Sequence, residues 1–206
     1  MLKINRIKIY RFGLSILGAI IIGLGIGLAA GSGYGADAMG FLYEGVSLHL
    51  PLNFGQSALA VMLVMTAIVF IIDKKQLGLS TIINPFFTAL FTEMAFKFAP
   101  ASNLALINFL LMLVGLTLIG AGAALVALSY SGKDSYTALV FALYGRFKKL
   151  GLARARMLCE AIFYAVALLL GTGFKIGPFM GVIIIGPILR LVYIKADKLP
   201  FLLISR

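Results

Sequence analysis

Six apolar stretches, each about as long as a bilayer is thick, follow one another along this chain with few charges inside them. They cover 12 to 32, 54 to 72, 77 to 96, 104 to 129, 157 to 174 and 176 to 194. A helix needs about 20 apolar residues to cross the hydrocarbon core. Hydrophobic residues occupy 62% of the 206 positions, and the mean hydropathy is +1.07. We therefore predict an all-α integral membrane protein with six transmembrane helices in a single membrane domain.

Two features leave alternatives open in this count. The last two stretches each contain an ionisable residue, Glu160 and Arg190, so a second reading folds 157 to 194 into one span and a re-entrant segment, with five crossings in all. The basic start followed by an apolar run is similar in outline to a signal peptide. That run is longer than a cleavable apolar region of about 7 to 15 residues, and we read it as a spanning helix.

The distribution of Lys and Arg predicts the orientation. With six spans and the N-terminus inside, sixteen of the 18 Lys and Arg residues lie on or near one side, and only Lys97 and Lys175 lie on the other. Loops rich in Lys and Arg are retained in the cytoplasm. We expect a multi-pass protein of the bacterial cytoplasmic membrane, with the N-terminal segment 1 to 11 and the C-terminal segment 196 to 206 both cytoplasmic.

Charge and residue usage also narrow the function. The net charge of +11 comes from short clusters between apolar stretches, which is unlike the continuous basic surface that binds nucleic acid. The chain has one His and one Cys, without a catalytic or metal-ligand spacing around them. We expect no enzymatic activity, no cofactor, no metal site and no nucleic-acid partner. The lipid bilayer is the expected environment.

A repeat links the two halves of the chain. Residues 14 to 42 match 111 to 139 at eleven of 29 positions at a shift of 97, including the turns Gly35-Ala36-Asp37 and Gly132-Lys133-Asp134. Residues 77 to 86 resemble 170 to 179 at a local shift of 93. We predict repeat A over 12 to 98 and repeat B over 104 to 195. With three spans each, the repeats insert in opposite senses.

The two Gly-x-Asp turns, together with Gly78-Leu79-Ser80-Thr81, resemble motifs of the YczE/YyaS/YitT group of bacterial multi-pass membrane proteins. That group typically has Gly-Pro-Trp-Asp and Gly-x-Gly-Thr at these places. The Asp is present in both halves here, but the Thr in only one. The group is largely uncharacterised, and the resemblance implies at most a transporter-like function.

Short helices are predicted after the two turns, over 38 to 46 and 135 to 144, with Asp37 and Asp134 as their N-caps. Both helices are too short to span a bilayer. In one interpretation they dip into the protein and the Asp residues help to bind a substrate or ion. In the other interpretation each Asp only caps an interfacial helix.

Small and polar residues inside the spans have two interpretations as well. The glycines of the first span and of the fourth are spaced for close helix packing, and the functional alternative is a hinge where the two spans cross. Thr81, Asn84 and Thr88 lie on one face of the third span. That polar stripe either lines a substrate path or hydrogen-bonds a neighbouring helix.

Two carboxylates lie within predicted spans, where an ionisable residue is costly and therefore informative. Glu93 lies four residues before Lys97, so it either forms an ion pair or belongs to a binding site. Glu160 has Arg154 and Arg156 nearby in sequence and Arg190 across the fold. It is interpreted first as a cytoplasmic salt-bridge lock and second as a proton-coupling group.

These features predict a small transporter or permease whose substrate or ion site lies between inverted repeats. The residues assigned to that site are Asp37, Asp134, Thr81, Asn84, Thr88, Glu93 and Glu160. The alternatives are a membrane-embedded substrate-capture or accessory subunit of a larger complex, and a lipid-facing structural protein. The substrate, a small molecule or an ion, is not specified by the sequence. A homodimer and a partner membrane subunit both stay open.

Overall fold

The computed structural model describes residues 2–99, 102–147, 149 and 151–197, and these residues are helical, with no strand. Lys148, Lys198 and Arg206, which contribute to the predicted orientation, lie outside the described residues. The eight α-helices of the described part are α1 (Leu2–Gly31), α2 (Ala38–His49), α3 (Phe54–Asp73), α4 (Leu79–Phe98), α5 (Ala105–Ser129), α6 (Ser135–Arg146), α7 (Leu152–Leu169) and α8 (Gly177–Asp197). A short 3-10 turn at Lys74–Gln76 joins α3 to α4.

Within the described residues, four helices are long and apolar enough to cross a membrane. The candidate spans are Lys8–Gly31, Phe54–Gln76, Leu79–Phe98 and Ala105–Ser129. Large apolar side chains on the outer surface, such as Ile71 at 82% exposure, are suited to contact with lipid. Four of the predicted spans therefore coincide with apolar helices, and the chain has the character of a membrane protein.

The last two predicted spans remain predictions. Within α8, the apolar helix Gly177–Val192 is shorter than the four candidate spans. The α7 helix begins at Leu152 and ends at Leu169, whereas the predicted span was 157 to 174. That boundary was wrong because the chain turns after α7 through Gly171 and Gly173, which have φ of +78° and +72°, a conformation that favours glycine.

Helices α1 and α5 cross at the centre of the bundle through four glycines. A Cβ built on Gly18 would lie 2.7 Å from the Gly122 carbonyl oxygen, and one on Gly25 would lie 2.6 Å from that of Gly115. The numbering rises along α1 while it falls along α5, so the helices are antiparallel. The packing interpretation of the glycines is confirmed, because only glycine allows the two backbones to come this close.

Contacts recur at a spacing of 97 residues. Ser80 N–H donates to the Ser131 carbonyl at 3.4 Å, and Gly177 N–H donates to the Tyr34 carbonyl at 2.9 Å. Each residue of the second bond is the counterpart of one in the first. These contacts do not show the local shift of 93 that the sequence suggests for residues 77 to 86. At that shift the start of α4 would correspond to the connection before α8 rather than to the start of α8.

The remaining helices flank this central pair. Helix α4 packs along α1, and α8 packs along α5. The short α2 lies against α7, while the short α6 lies against α3, so each short helix packs mainly on a helix from the other half of the chain. Arg11, Gln76, Tyr130 and Lys133 come together at one end of the bundle through the contacts Arg11–Tyr130 and Lys133–Gln76. We call it the basic end, and the opposite end the far end.

Candidate functional site

The two Asp residues of the repeated turn cap the short helices, as predicted. Asp37 Oδ1 accepts the Gly40 N–H of α2 at 3.0 Å, and Asp134 Oδ2 accepts the Thr137 N–H of α6 at 3.0 Å. Each carboxylate thus satisfies an N–H group that has no partner inside its helix. Whether the Asp residues also bind a substrate or ion stays a prediction.

Asp37 lies outside the spanning helices and close to charged groups of another element. The charges of Glu160 and Arg156, both on α7, reach its carboxylate. Burial raises the pKa of this carboxyl to about 6, against the opposing effect of the Gly40 N–H. On α2, the helix that Asp37 caps, the buried Tyr43 hydroxyl has no hydrogen-bond partner among the described residues. The short helix α2 therefore carries two polar groups into the interior.

The polar stripe on α4 is buried and bonded to its neighbours. Asn84 Nδ2 donates to Ser15 Oγ at 2.9 Å, and Thr88 Oγ1 donates to the Ala19 carbonyl at 3.2 Å, both on α1. Thr81 Oγ1 donates to the Lys133 carbonyl at 2.6 Å. These bonds match the interpretation in which the stripe joins neighbouring segments. A role in binding stays a prediction for all three.

Glu93 forms the predicted ion pair. Its Oε1 lies 3.0 Å from Lys97 Nζ, and its Oε2 accepts the Gly55 N–H of α3 at 2.8 Å. The carboxylate thereby ties α4 to the start of α3, at the far end of the bundle. This arrangement gives Glu93 a structural role.

Glu160 is held by one of the three predicted arginines. Its Oε1 lies 2.9 Å from Arg156 Nε on the same helix and accepts the Tyr136 hydroxyl of α6 at 3.1 Å. Arg154 and Arg190 are exposed, and among the described residues neither forms an ion pair with Glu160. The predicted salt bridge from Glu160 to Arg190 on α8 is therefore wrong. The contacts of Glu160 join α7 to α6 instead.

A cavity of about 680 Å³ opens between α5, α6, α7 and α8 at the basic end. We call it the basic-end cavity. Its charged lining residues are Lys133, Asp134 and Arg156, and the rest of its lining is mostly apolar and aromatic. Of the predicted site residues, it contains only Asp134. Small-molecule sites are typically concave, largely apolar and equipped with a few polar groups.

The sequence interpretation missed Lys133 as a candidate. Its ammonium donates to Gln76 Oε1 at 2.9 Å and lies 4.8 Å from the centre of the Phe141 ring. The signal was present in the repeat, because Lys133 stands where the first Gly-x-Asp turn has Ala36. A cation that appears in only one of two equivalent turns indicates a role beyond the shared fold.

A second cavity, of about 490 Å³, lies at the far end between α1, α2, α3 and α4. We call it the far-end cavity. Three of its lining residues correspond at the spacing of 97 to residues of the basic-end cavity: Ala30 to Ala127, Gly33 to Tyr130 and Glu44 to Phe141. Lys175 and Glu44 both line this cavity and form an ion pair with each other. The two halves thus place comparable cavities at opposite ends.

No group of three or more His, Cys, Asp or Glu side chains within the described ranges could hold a metal ion.

A comparison with curated proteins and with solved structures finds no match. The family of unknown function DUF6198 matches residues 9–193, nearly the whole chain, whereas the resemblance to the YczE/YyaS/YitT group stays a prediction. The chain therefore belongs to the DUF6198 family.

Proposed function

We propose that the chain is a small membrane transporter with six spans, arranged as two inverted three-helix halves around a solute site. The antiparallel crossing of α1 and α5 supports this arrangement, because two halves inserted in opposite senses meet through antiparallel first helices. The hydrogen bonds that recur at a spacing of 97 support it too. In this proposal α7 and α8 supply the fifth and sixth spans.

The orientation belongs to the same proposal. Lys133, Arg11 and the turn containing Lys74 and Lys75 lie at the basic end, and loops rich in Lys and Arg stay in the cytoplasm. The basic end then faces the cytoplasm of a bacterial cell, and the basic-end cavity receives solute from that side. The far-end cavity faces the opposite side.

The observation that carries the proposal is the pair of cavities in comparable positions at opposite ends. The basic-end cavity is the larger of the two, at about 680 Å³, and the far-end cavity, at about 490 Å³, has the Glu44–Lys175 ion pair in its lining. In alternating access, one repeat rocks against the other so that a site opens to one side at a time. The arrangement corresponds to an inward-facing state, with the ion pair as part of the outer closure.

Labelling of single cysteines tests this mechanism. The native Cys159 is buried and is first replaced by Ser. A cysteine is then introduced at Thr137 in the basic-end cavity or at Ser47 in the far-end cavity. A membrane-impermeant maleimide is applied to each side of sealed vesicles. We expect position 137 to react from the cytoplasmic side and position 47 to react slowly from the other side.

Breaking the outer ion pair should couple the two labelling rates. Lys175→Gln should speed labelling at Ser47→Cys and slow labelling at Thr137→Cys, because opening one end closes the other. Lys97→Gln is the matched control, since its ion pair is also at the far end but lies outside the far-end cavity. If the two rates change independently, the chain does not alternate. A substrate-capture subunit with one fixed opening would give that result.

A further inference from the structure

Among the charged side chains that line the basic-end cavity, free hydrogen-bond donors outnumber free acceptors. The Lys133 ammonium has three N–H groups, and the hydrogen bond in the structure uses one of them, to Gln76. Arg156 contacts Glu160 through Nε, and its two terminal nitrogens have no hydrogen-bond partner among the described residues. Asp134 offers one oxygen, since the other accepts the Thr137 N–H. A ligand that satisfies this lining must be rich in acceptors.

The lining has two cations, Lys133 and Arg156, against one carboxylate, Asp134, so its charged groups favour the same kind of ligand. Glu160 balances Arg156 from outside the cavity. Lys133 has only an amide oxygen and an aromatic ring as direct partners, and no carboxylate lies within 4.0 Å of its ammonium in the described ranges. A cation in apolar surroundings is stabilised by an anion that also accepts its hydrogen bonds. An anionic group fits beside Lys133 and the outer nitrogens of Arg156.

The remaining lining suits an apolar body. Val126, Val140 and Leu189 line the walls. The ring of Phe141 lies beneath Lys133 at 4.8 Å, and the ring of Tyr136 lies beneath Arg156 at 5.8 Å. These cation–π contacts stabilise both cations against aromatic side chains of the lining. An anionic group and an apolar body can therefore be bound together.

We propose that the basic-end cavity binds a monovalent organic anion, with its charged group at Lys133 and Arg156 and its apolar body against the valine and leucine side chains. This proposal rests on the proposed transport function only in calling that anion the solute. Two sources share the required chemistry. One is the headgroup of an anionic lipid that enters from the bilayer, and the other is a water-soluble organic acid.

A tryptophan reporter makes binding measurable, because the chain has no Trp. The variant Leu152→Trp places one indole in the cavity lining. Energy transfer from this indole to dansylglycine, a carboxylate with an aromatic body, is measured in phosphatidylcholine nanodiscs. Dansylamide, which lacks the carboxylate, is the matched probe. We expect dansylglycine to bind at least about tenfold more tightly, since a charge-assisted hydrogen bond is worth at least that factor.

Variants of Lys133 test whether its charge causes the preference for dansylglycine. Lys133→Gln should weaken dansylglycine about tenfold and leave dansylamide unchanged, whereas Lys133→Arg should retain binding because it keeps the charge. Lys75→Gln, at an exposed position outside the cavity lining, should have no effect. Equal affinity for the two probes, or no response to Lys133→Gln, would overturn the proposal.

Competition experiments with dansylglycine distinguish the two sources of the anion. Displacement of dansylglycine by phosphatidic acid added to the nanodiscs supports a lipid headgroup, and displacement only by soluble hexanoate supports an organic acid. Uptake of dansylglycine into proteoliposomes separates this site from the transport function. Binding without uptake would leave the site standing and count against transport. Uptake that does not respond to Lys133→Gln would overturn the site and leave transport standing.

Discussion

The crossing of α1 and α5 gives the most quantitative prediction. In Gly25→Ala, the added Cβ would lie 2.6 Å from the Gly115 carbonyl oxygen, where ordinary contacts begin at 3.4 Å. The helices must separate locally by about 0.8 Å, which opens the packing on both sides of the contact. Overpacking of this kind costs about 1–3 kcal/mol, and the better helix propensity of Ala returns about 0.5–1 kcal/mol. The central values of the two ranges leave a net destabilisation of about 1 kcal/mol.

The sole cysteine provides the assay. Cys159 has 2% of its surface exposed, so a thiol-reactive fluorogenic dye should report unfolding as the temperature is raised. Gly13→Ala is the matched control, because it lies on the same helix and nothing is within 4 Å of its added Cβ. Gly25→Ala should melt at a lower temperature than Gly13→Ala. Equal melting temperatures would refute the close approach of the two backbones.

Four further substitutions, in two pairs, test polar contacts with the same thermal assay. Glu160→Gln should destabilise more than Tyr136→Phe, because it leaves the partly buried Arg156 without its counter-ion while the phenol contributes a single hydrogen bond; a larger loss for Tyr136→Phe would contradict this assignment. Asn84→Ala should cost about 0.6 kcal/mol, a typical value for a hydrogen bond between membrane helices, and Ser15→Ala in the same protein should then add little. Fully additive losses would show that the two side chains do not interact.

Local features of this fold could be predicted from the sequence. The Asp37 and Asp134 caps depend on residues three positions apart, and the Glu93–Lys97 pair on residues four apart, so short-range geometry fixes both. The glycine crossing could be predicted because close helix packing within a membrane requires small residues. In each case the partner is close in sequence or the constraint is steric.

The cavity could not be predicted in this way. Its lining comes from four helices and from the turn before α6, and no local sequence pattern brings these segments together. Arg156 was interpreted only as a partner of Glu160, although its outer nitrogens are free of hydrogen-bond partners among the described residues. The predicted end of the fifth span failed for a related reason, since the apolar character of 170 to 174 conceals two glycines in a left-handed conformation.

The reciprocal glycine contacts have a consequence for how such a chain is made. Gly18 meets Gly122 as Gly115 meets Gly25, so exchanging the two central helices would leave the contact unchanged. Packing at the crossing therefore cannot discriminate between a first half inserted upright and one inserted upside down. That discrimination falls to residues that differ between the halves, such as Lys133 where its counterpart is Ala36. During biosynthesis, the same lysine that lines the basic-end cavity would help to prevent insertion in the inverted orientation.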